Sequence, residues 1–339
     1  MTGAVASAPG KIVLCGEYAV LDGAPAICMA INKRARAEVA YAEADVQNVR
    51  TSGYVEGEWK FHITGDGGFE WLGDEPPAGS LDLLHEVRNT MGIDGNFDIR
   101  MDTAELLDPV SGSKLGLGSS AALTVALVTA FSDVMNRAGL AAKDAAEAHR
   151  RLQHGRGSGV DVAACLAGGV IEYRAQDSGA RQSVSWPAGL EYALLWSGQP
   201  ASTSEKLTRL DEARSGQQSG TSIAQLCQAS ESAAACWSAG ETIELLEALH
   251  RYTDALMEFD VDHDLGIFDA GHQELADAAA KRELVYKPCG AGGGDIGVVF
   301  ATDKAAVAKF TNLAGESGYR LLDISLEASG AILENRARY

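Results

Sequence analysis

The chain has 339 residues, 46% hydrophobic and 22% charged, with 28 Lys and Arg against 47 Asp and Glu for a formal net charge of −19. That length and apolar content suit one large globular domain or two intimate ones and exclude a disordered chain. The acidic balance argues against non-specific binding to nucleic acid or to an anionic membrane, while leaving room for a local phosphate pocket built from a few cations and backbone N–H groups.

Met1 to Ala8 lacks the basic-then-apolar pattern of a signal peptide, and Ile12 to Cys15 reads as a short strand after Pro9-Gly10. Ala24 to Ala30 reads as another. Ala35 to Ala42 alternates, with Ala37, Val39 and Tyr41 on one face and Arg36 and Glu38 on the other. Gly53 to Gly79 is polar and Gly-rich, a loop region with short strands. A helix is expected over Leu81 to Met91, a strand over Asn96 to Met101, and helices over Ala121 to Phe131 and Leu140 to Leu152. Gly168 to Tyr173 and Leu190 to Trp196 read as strands. Helices then dominate: Thr203 to Arg214, Thr221 to Ala239, Glu241 to Phe259 and Leu275 to Lys281, the second and third broken at Gly240. Val285 to Pro288 and Gly297 to Ala301 flank a Gly cluster as strands, followed by a helix over Lys304 to Gly315 and a last strand over Leu321 to Leu326. Without regular βαβ spacing, this order suggests an α+β fold. No apolar run approaches the roughly 20 residues of a membrane span. The six cysteines form no CxxC pair, so reduced thiols, a cytoplasmic location and no structural zinc are expected.

Four segments carry chemistry. Lys114-Leu115-Gly116-Leu117-Gly118-Ser119-Ser120-Ala121 leads glycines and two hydroxyls into a helix, whose free N–H groups make an anion site. It lacks the Gly-Lys-Ser/Thr of a Walker A loop. Gly290-Ala291-Gly292-Gly293-Gly294-Asp295-Ile296-Gly297 is costly to order, and reads either as a tight turn or as backbone lying against a ligand. Lys11 follows Ala8-Pro9-Gly10 at a strand start, where by itself it reads as a solvated lysine. Asp161, within Gly157-Ser158-Gly159-Val160-Asp161, reads by itself as well as a helix N-cap as a reactive carboxylate.

In order and spacing, Ala8 to Lys11, Gly116 to Ala122 and Gly290 to Gly297 resemble the three motifs of the GHMP small-molecule kinases, a family of galactokinases, homoserine kinases, mevalonate kinases and phosphomevalonate kinases. His149, Gln153, Gly157 to Ala163, the run Gly198-Gln199-Pro200-Ala201-Ser202-Thr203 and Asp295 are similar to the phosphomevalonate kinase branch. Arg150 stands where mevalonate kinases place a magnesium-binding Glu, and Cys289 where phosphomevalonate kinases often have Ser.

The resemblance implies the GHMP kinase fold in two lobes: an N-terminal lobe like domain 2 of ribosomal protein S5, expected over residues 1–175, and a ferredoxin-like α/β sandwich over 176–339. It implies ATP and Mg²⁺ as cofactors and (R)-5-phosphomevalonate as acceptor, in a monomer or homodimer that binds neither nucleic acid nor membrane. By this resemblance Lys11 and Asp161 meet in the active site. Lys114, Gly116, Leu117, Gly118, Ser119, Ser120 and Ala121 hold the nucleotide, and Ser120 is the magnesium ligand, with Asp108 and Asp295 as outer candidates. Tyr18, Ser158, Ser202, Thr203, Gly290, Ala291, Gly292, Gly293 and Asp295 fall on the substrate side. Open alternatives are another GHMP kinase such as a mevalonate kinase, a related decarboxylase, and a non-catalytic protein of this fold. A phosphate monoester is already anionic at pH 7, its second pKa being about 6, so Asp161 is expected to orient Lys11 and the acceptor more than to remove a proton.

Overall fold

The computed structural model describes residues 3–42, 46–53, 55–65, 67–137, 139, 141–175, 180–215 and 220–335. Leu140, where one helix was expected to begin, and Met1 and Thr2 lie outside them. In chain order the elements are β1 (Gly3–Cys15), β2 (Ala26–Tyr41), β3 (Gln47–Ser52), β4 (Gly57–Ile63), β5 (Phe69–Trp71), α1 (Asp82–Met91), β6 (Phe97–Asp102), α2 (Ser119–Val134), α3 (Ala141–Leu152) and α4 (Val160–Ala167). They continue with β7 (Val170–Arg174), β8 (Ala180–Val184), β9 (Glu191–Trp196), α5 (Thr203–Ser215), α6 (Thr221–Ala239), α7 (Thr242–His263) and α8 (His272–Ala280). The last are β10 (Val285–Pro288), β11 (Ile296–Ala301), α9 (Lys304–Glu316), β12 (Arg320–Leu321) and β13 (Ile332–Asn335). No helix among the described residues is long and apolar enough to cross a membrane.

The chain divides into two compact units, neither of them a single stretch. One comprises Met1–Lys11, Ala30–Gly169 and Glu327–Tyr339; the other comprises Ile12–Met29 and Val170–Leu326.

The first unit is built on a sheet in the order β13-β1-β2-β6-β3-β4-β5, with β3 and β6 parallel and β2 antiparallel to β6. α2 supplies its central helix. Eleven of its side chains are buried, so it shows little amphipathic contrast, as expected of a helix covered on several sides. α1, α3 and α4 pack against it. α3 is the opposite case: Ala145, Ala148 and His149 face inward, while Arg150 and Arg151 pair with Glu147 in solvent. The alternation expected in β2 holds at Ala37 and Val39, which are buried, but Tyr41 is 41% exposed. It sits at the strand end with its ring 4.8 Å from that of Phe97.

The second unit carries the sheet β10-β11-β9-β12. α9 lies on β9 and β11, and α6 packs along α7. The break between those two helices is set by Gly240, whose left-handed φ of 74° lets its N–H and that of Glu241 close on Cys236 O. The strand expected over Leu321 to Leu326 is reduced to the two residues of β12, although Leu322 N–H still donates to Leu194 O. β3, β8 and β13 were not anticipated; each is short or polar, with too few residues to display a period.

This unit also buries an ion pair. Lys287 Nζ lies 2.5 Å from Glu17 Oε1, with the two side chains 0% and 2% exposed. Tyr252 Oη donates to Glu17 Oε2 at 2.9 Å. Burial by itself depresses the Lys287 ammonium, but the adjacent Glu17 carboxylate outweighs it and the net shift is upward.

Candidate active site

In the first unit, β1 delivers Lys11 and α4 delivers Asp161, and their charged groups meet at 2.9 Å. Asp161 is not an N-cap: Gly159 caps α4 with a left-handed φ of 85°, and Asp161 is the second helical residue. Lys11 N–H donates to Leu117 O at 2.9 Å, which pins the lysine strand to the Gly-rich loop. Within that loop Gly116 and Gly118 have φ of 77° and 75°, which a side chain would strain. At Gly118 a Cβ would also come within 2.8 Å of Lys11 Cε. Gly118→Ala should therefore displace Lys11 and lower kcat more steeply than it lowers stability, for which the left-handed backbone predicts about 1–2 kcal/mol; steady-state kinetics beside urea unfolding checks this.

The first intrahelical bond of α2 runs from Ala122 N–H to Gly118 O, so the N–H groups of Ser119, Ser120 and Ala121 precede the ladder and point out of its end. Ser120 Oγ lies 3.2 Å from His149 Nε2. His149 is 2% exposed, and burial holds its pKa below the ordinary value against the upward pull of Asp161, with Lys11 adding to the depression. A neutral imidazole with its proton on Nδ1 would accept the Ser120 proton and leave the Oγ lone pairs for a cation. Lys114, Ser119 and Ser120 line a cleft of about 200 Å³ together with Thr51, Ser80 and Thr103. Thr51 Oγ1 and Ser80 Oγ are buried with no hydrogen-bond partner among the described residues, two polar atoms left for a ligand's edge. Ser158 Oγ accepts from Val160 N–H at 3.4 Å, at the entry to α4.

In the second unit, the Gly290 to Asp295 loop is held by its backbone. Gly293 N–H donates to Ile267 O, Asp295 N–H to Gln199 O, and Ser197 N–H to Asp295 O. Asp295 Oδ1 accepts from Ala201 N–H at 3.1 Å. Tyr18 Oη donates to Ala291 O at 2.6 Å, and burial pushes the phenol's pKa far up, so it remains a donor. Ser202 Oγ accepts from Glu205 N–H at 3.3 Å and closes the first turn of α5, which Thr203 begins. Tyr18, Ser202 and Asp295 thus hold protein groups in the arrangement seen here.

Residues 82–169 match the family described as GHMP kinases N terminal domain. Over 345 aligned residues, the chain is 29% identical to the phosphomevalonate kinase of Streptomyces sp. (strain CL190), covering 89% of this chain and 91% of that protein. The chain is thus similar to GHMP kinases, through this N-terminal domain and along most of its length. A mevalonate kinase of Methanothermobacter thermautotrophicus is 32% identical over 169 residues, 49% of this chain and 48% of that protein. Among solved structures, Streptococcus pneumoniae phosphomevalonate kinase, in complex with phosphomevalonate and AMPPNP, matches with a TM-score of 0.78 at 19% identity, over 95% of this chain and 99% of that one. The Lin0012 protein of Listeria innocua matches with a TM-score of 0.83 at 22% identity, over 98% and 99%. Both carry the same fold.

The present roles of two residues were not legible in the sequence. His149 was visible only as a mark of the family, and its contact with Ser120 depends on α3 packing beside α2. His272 has no motif around it, yet it is fully buried between Tyr286 and Gly294. Arg150 turns outward, 55% exposed and paired with Glu147, and so adds no metal ligand. No disulfide joins the cysteines among the described residues.

Proposed function

We propose that the chain transfers the γ-phosphoryl group of ATP to (R)-5-phosphomevalonate, giving (R)-5-diphosphomevalonate and ADP. The observation that carries the reading is similarity along nearly the whole length of a phosphomevalonate kinase. An oxygen of the acceptor phosphate forms the new P–O bond, the bond from the γ-phosphorus to the bridging oxygen breaks, and ADP leaves with that electron pair. Positioning and charge neutralisation supply the rate, because the transition state is loose.

Lys114, Gly116, Leu117, Gly118, Ser119, Ser120 and Ala121 hold the nucleotide phosphates, with the helix-end N–H groups as donors. Lys11 neutralises the two anions that must approach each other, and Asp161 fixes the lysine. Tyr18, Ser158, Ser202, Thr203 and the Gly290 to Asp295 loop serve the acceptor, Tyr18 through its hold on the loop. Among the described residues no group of three His, Cys, Asp or Glu is placed to hold a metal. The donors present therefore fit an Mg²⁺ bound by Ser120, nucleotide oxygens and water. When bound, Mg²⁺ offsets charge on the phosphates. The protein works in the cytoplasm, as a monomer or homodimer, on a small molecule.

ADP release measured side by side with mevalonate, 5-phosphomevalonate and 5-diphosphomevalonate tests this reading. Turnover is expected with 5-phosphomevalonate. Turnover with either other compound and none with 5-phosphomevalonate overturns the assignment.

A further inference from the structure

The Gly290 to Asp295 loop needs its N–H groups turned outward if it is to meet an anion, which requires its carbonyls to be held elsewhere. Two side chains hold carbonyls of this loop. Tyr18 Oη takes Ala291 O, and His272 Nε2 lies 2.9 Å from Gly294 O. Among the described residues, the N–H groups of Ala291, Gly292 and Gly294 meet no protein acceptor.

The histidine side of this clamp is the more constrained. A carbonyl only accepts, so His272 Nε2 carries the proton. Its Nδ1, 2.8 Å from Tyr286 Oη, then accepts the phenol proton. Burial drives the imidazole pKa down to about 4, which keeps it neutral at neutral pH. The ring has no freedom to turn: it is fully buried, stacked on Tyr286 and met edge-on by Tyr319. It therefore fixes one face of the Gly294–Asp295 peptide, while Gln199 O fixes the other by accepting Asp295 N–H at 2.7 Å. Asp295 has φ of 54°, a left-handed conformation uncommon for a residue with a side chain.

We propose that His272 is a positioning residue for the phosphate-bearing acceptor: by gripping Gly294 O it anchors the Gly294–Asp295 peptide, from which the Gly292 to Gly294 backbone and the Asp295 side chain project. The inference rests on the reading above that this loop serves the acceptor.

Two variants and one spectrum test it. His272→Phe fills the ring volume and removes both hydrogen bonds; His272→Gln keeps a nitrogen donor near the position of Nε2. His272→Phe should raise KM for the acceptor about tenfold, the worth of one well-placed hydrogen bond, with KM for ATP unchanged. His272→Gln should recover most of that loss. Equal effects of the two variants, or a parallel rise in both KM values, overturn the proposal. Kinetics are read on whichever of the three acceptors the wild-type enzyme turns over, so a wrong acceptor assignment and a wrong role for His272 give different results. Should His272→Phe fail to fold, ¹⁵N NMR of the wild-type protein decides. The Nε2–H tautomer at neutral pH and ring signals that shift on acceptor titration are expected; the Nδ1–H tautomer or silent signals overturn it.

Discussion

Lys11→Met should lower kcat by about a thousandfold, the upper range for removing one preorganised charge or donor from a transition state, whereas Asp161→Asn should cost no more than about tenfold to a hundredfold. The asymmetry follows from the acceptor. A phosphate monoester with a second pKa of about 6 arrives at pH 7 as an anion, so no proton needs to be taken before attack. What opposes reaction is repulsion between that anion and the γ-phosphate, and Lys11 is the cation at hand. Its ammonium is largely buried and lies 2.9 Å from Asp161. Removing Asp161's charge loosens the lysine without removing it; removing the lysine leaves a carboxylate among phosphates. Single-turnover rates for the two variants check the order. A pH–rate profile requiring a base with pKa above 7, or a loss in Asp161→Asn equal to that in Lys11→Met, would return Asp161 to the role of general base.

Lys287→Met should destabilise the fold by about 3–5 kcal/mol, because it strands the Glu17 carboxylate in the core without its counter-ion. Lys287 is fully buried, and Tyr252 supplies the only other polar hydrogen bond to the Glu17 side chain that the structure shows, among the described residues. The double variant Glu17→Gln with Lys287→Met should regain much of that loss, since the cost lies in the unpaired charge more than in the missing bond. Urea unfolding of the two single variants and the double variant closes the cycle. The pH dependence has a definite sign. Because the folded-state pKa of Lys287 lies above its ordinary value, its contribution is complete below the unfolded lysine pKa of about 10.4 and fades only as pH rises through the folded value. Stability that falls between pH 6 and pH 9 through this pair would contradict the assignment.

Local information settled a good deal. The helix after Gly118, the Gly240 break, the strands on either side of the Gly290 to Asp295 loop and the α+β character were all legible, because each depends on periodicity, glycine conformation or capping within a few residues. The family resemblance was enough to expect that Lys11 and Asp161 meet, as they do at 2.9 Å. What neighbouring residues do not encode is which partner a polar group will find. Asp161 read equally well as an N-cap until Gly159 was seen to hold that position. Tyr18, Ser202 and Asp295 read as substrate-side groups, and the structure shows that each also bonds to backbone: Ala291 and Ala201 are 273 and 94 residues distant from Tyr18 and Asp295, and Glu205 is three from Ser202. Glu17 and Lys287 are 270 residues apart, and no local pattern predicts that two charges will be buried together. The sequence by itself therefore determined the elements, the glycine turns and the identity of the chemical groups. Only the tertiary structure decided which protein partner each of those groups meets, because a hydrogen bond or an ion pair is set by proximity in space, and proximity across hundreds of residues is created by folding.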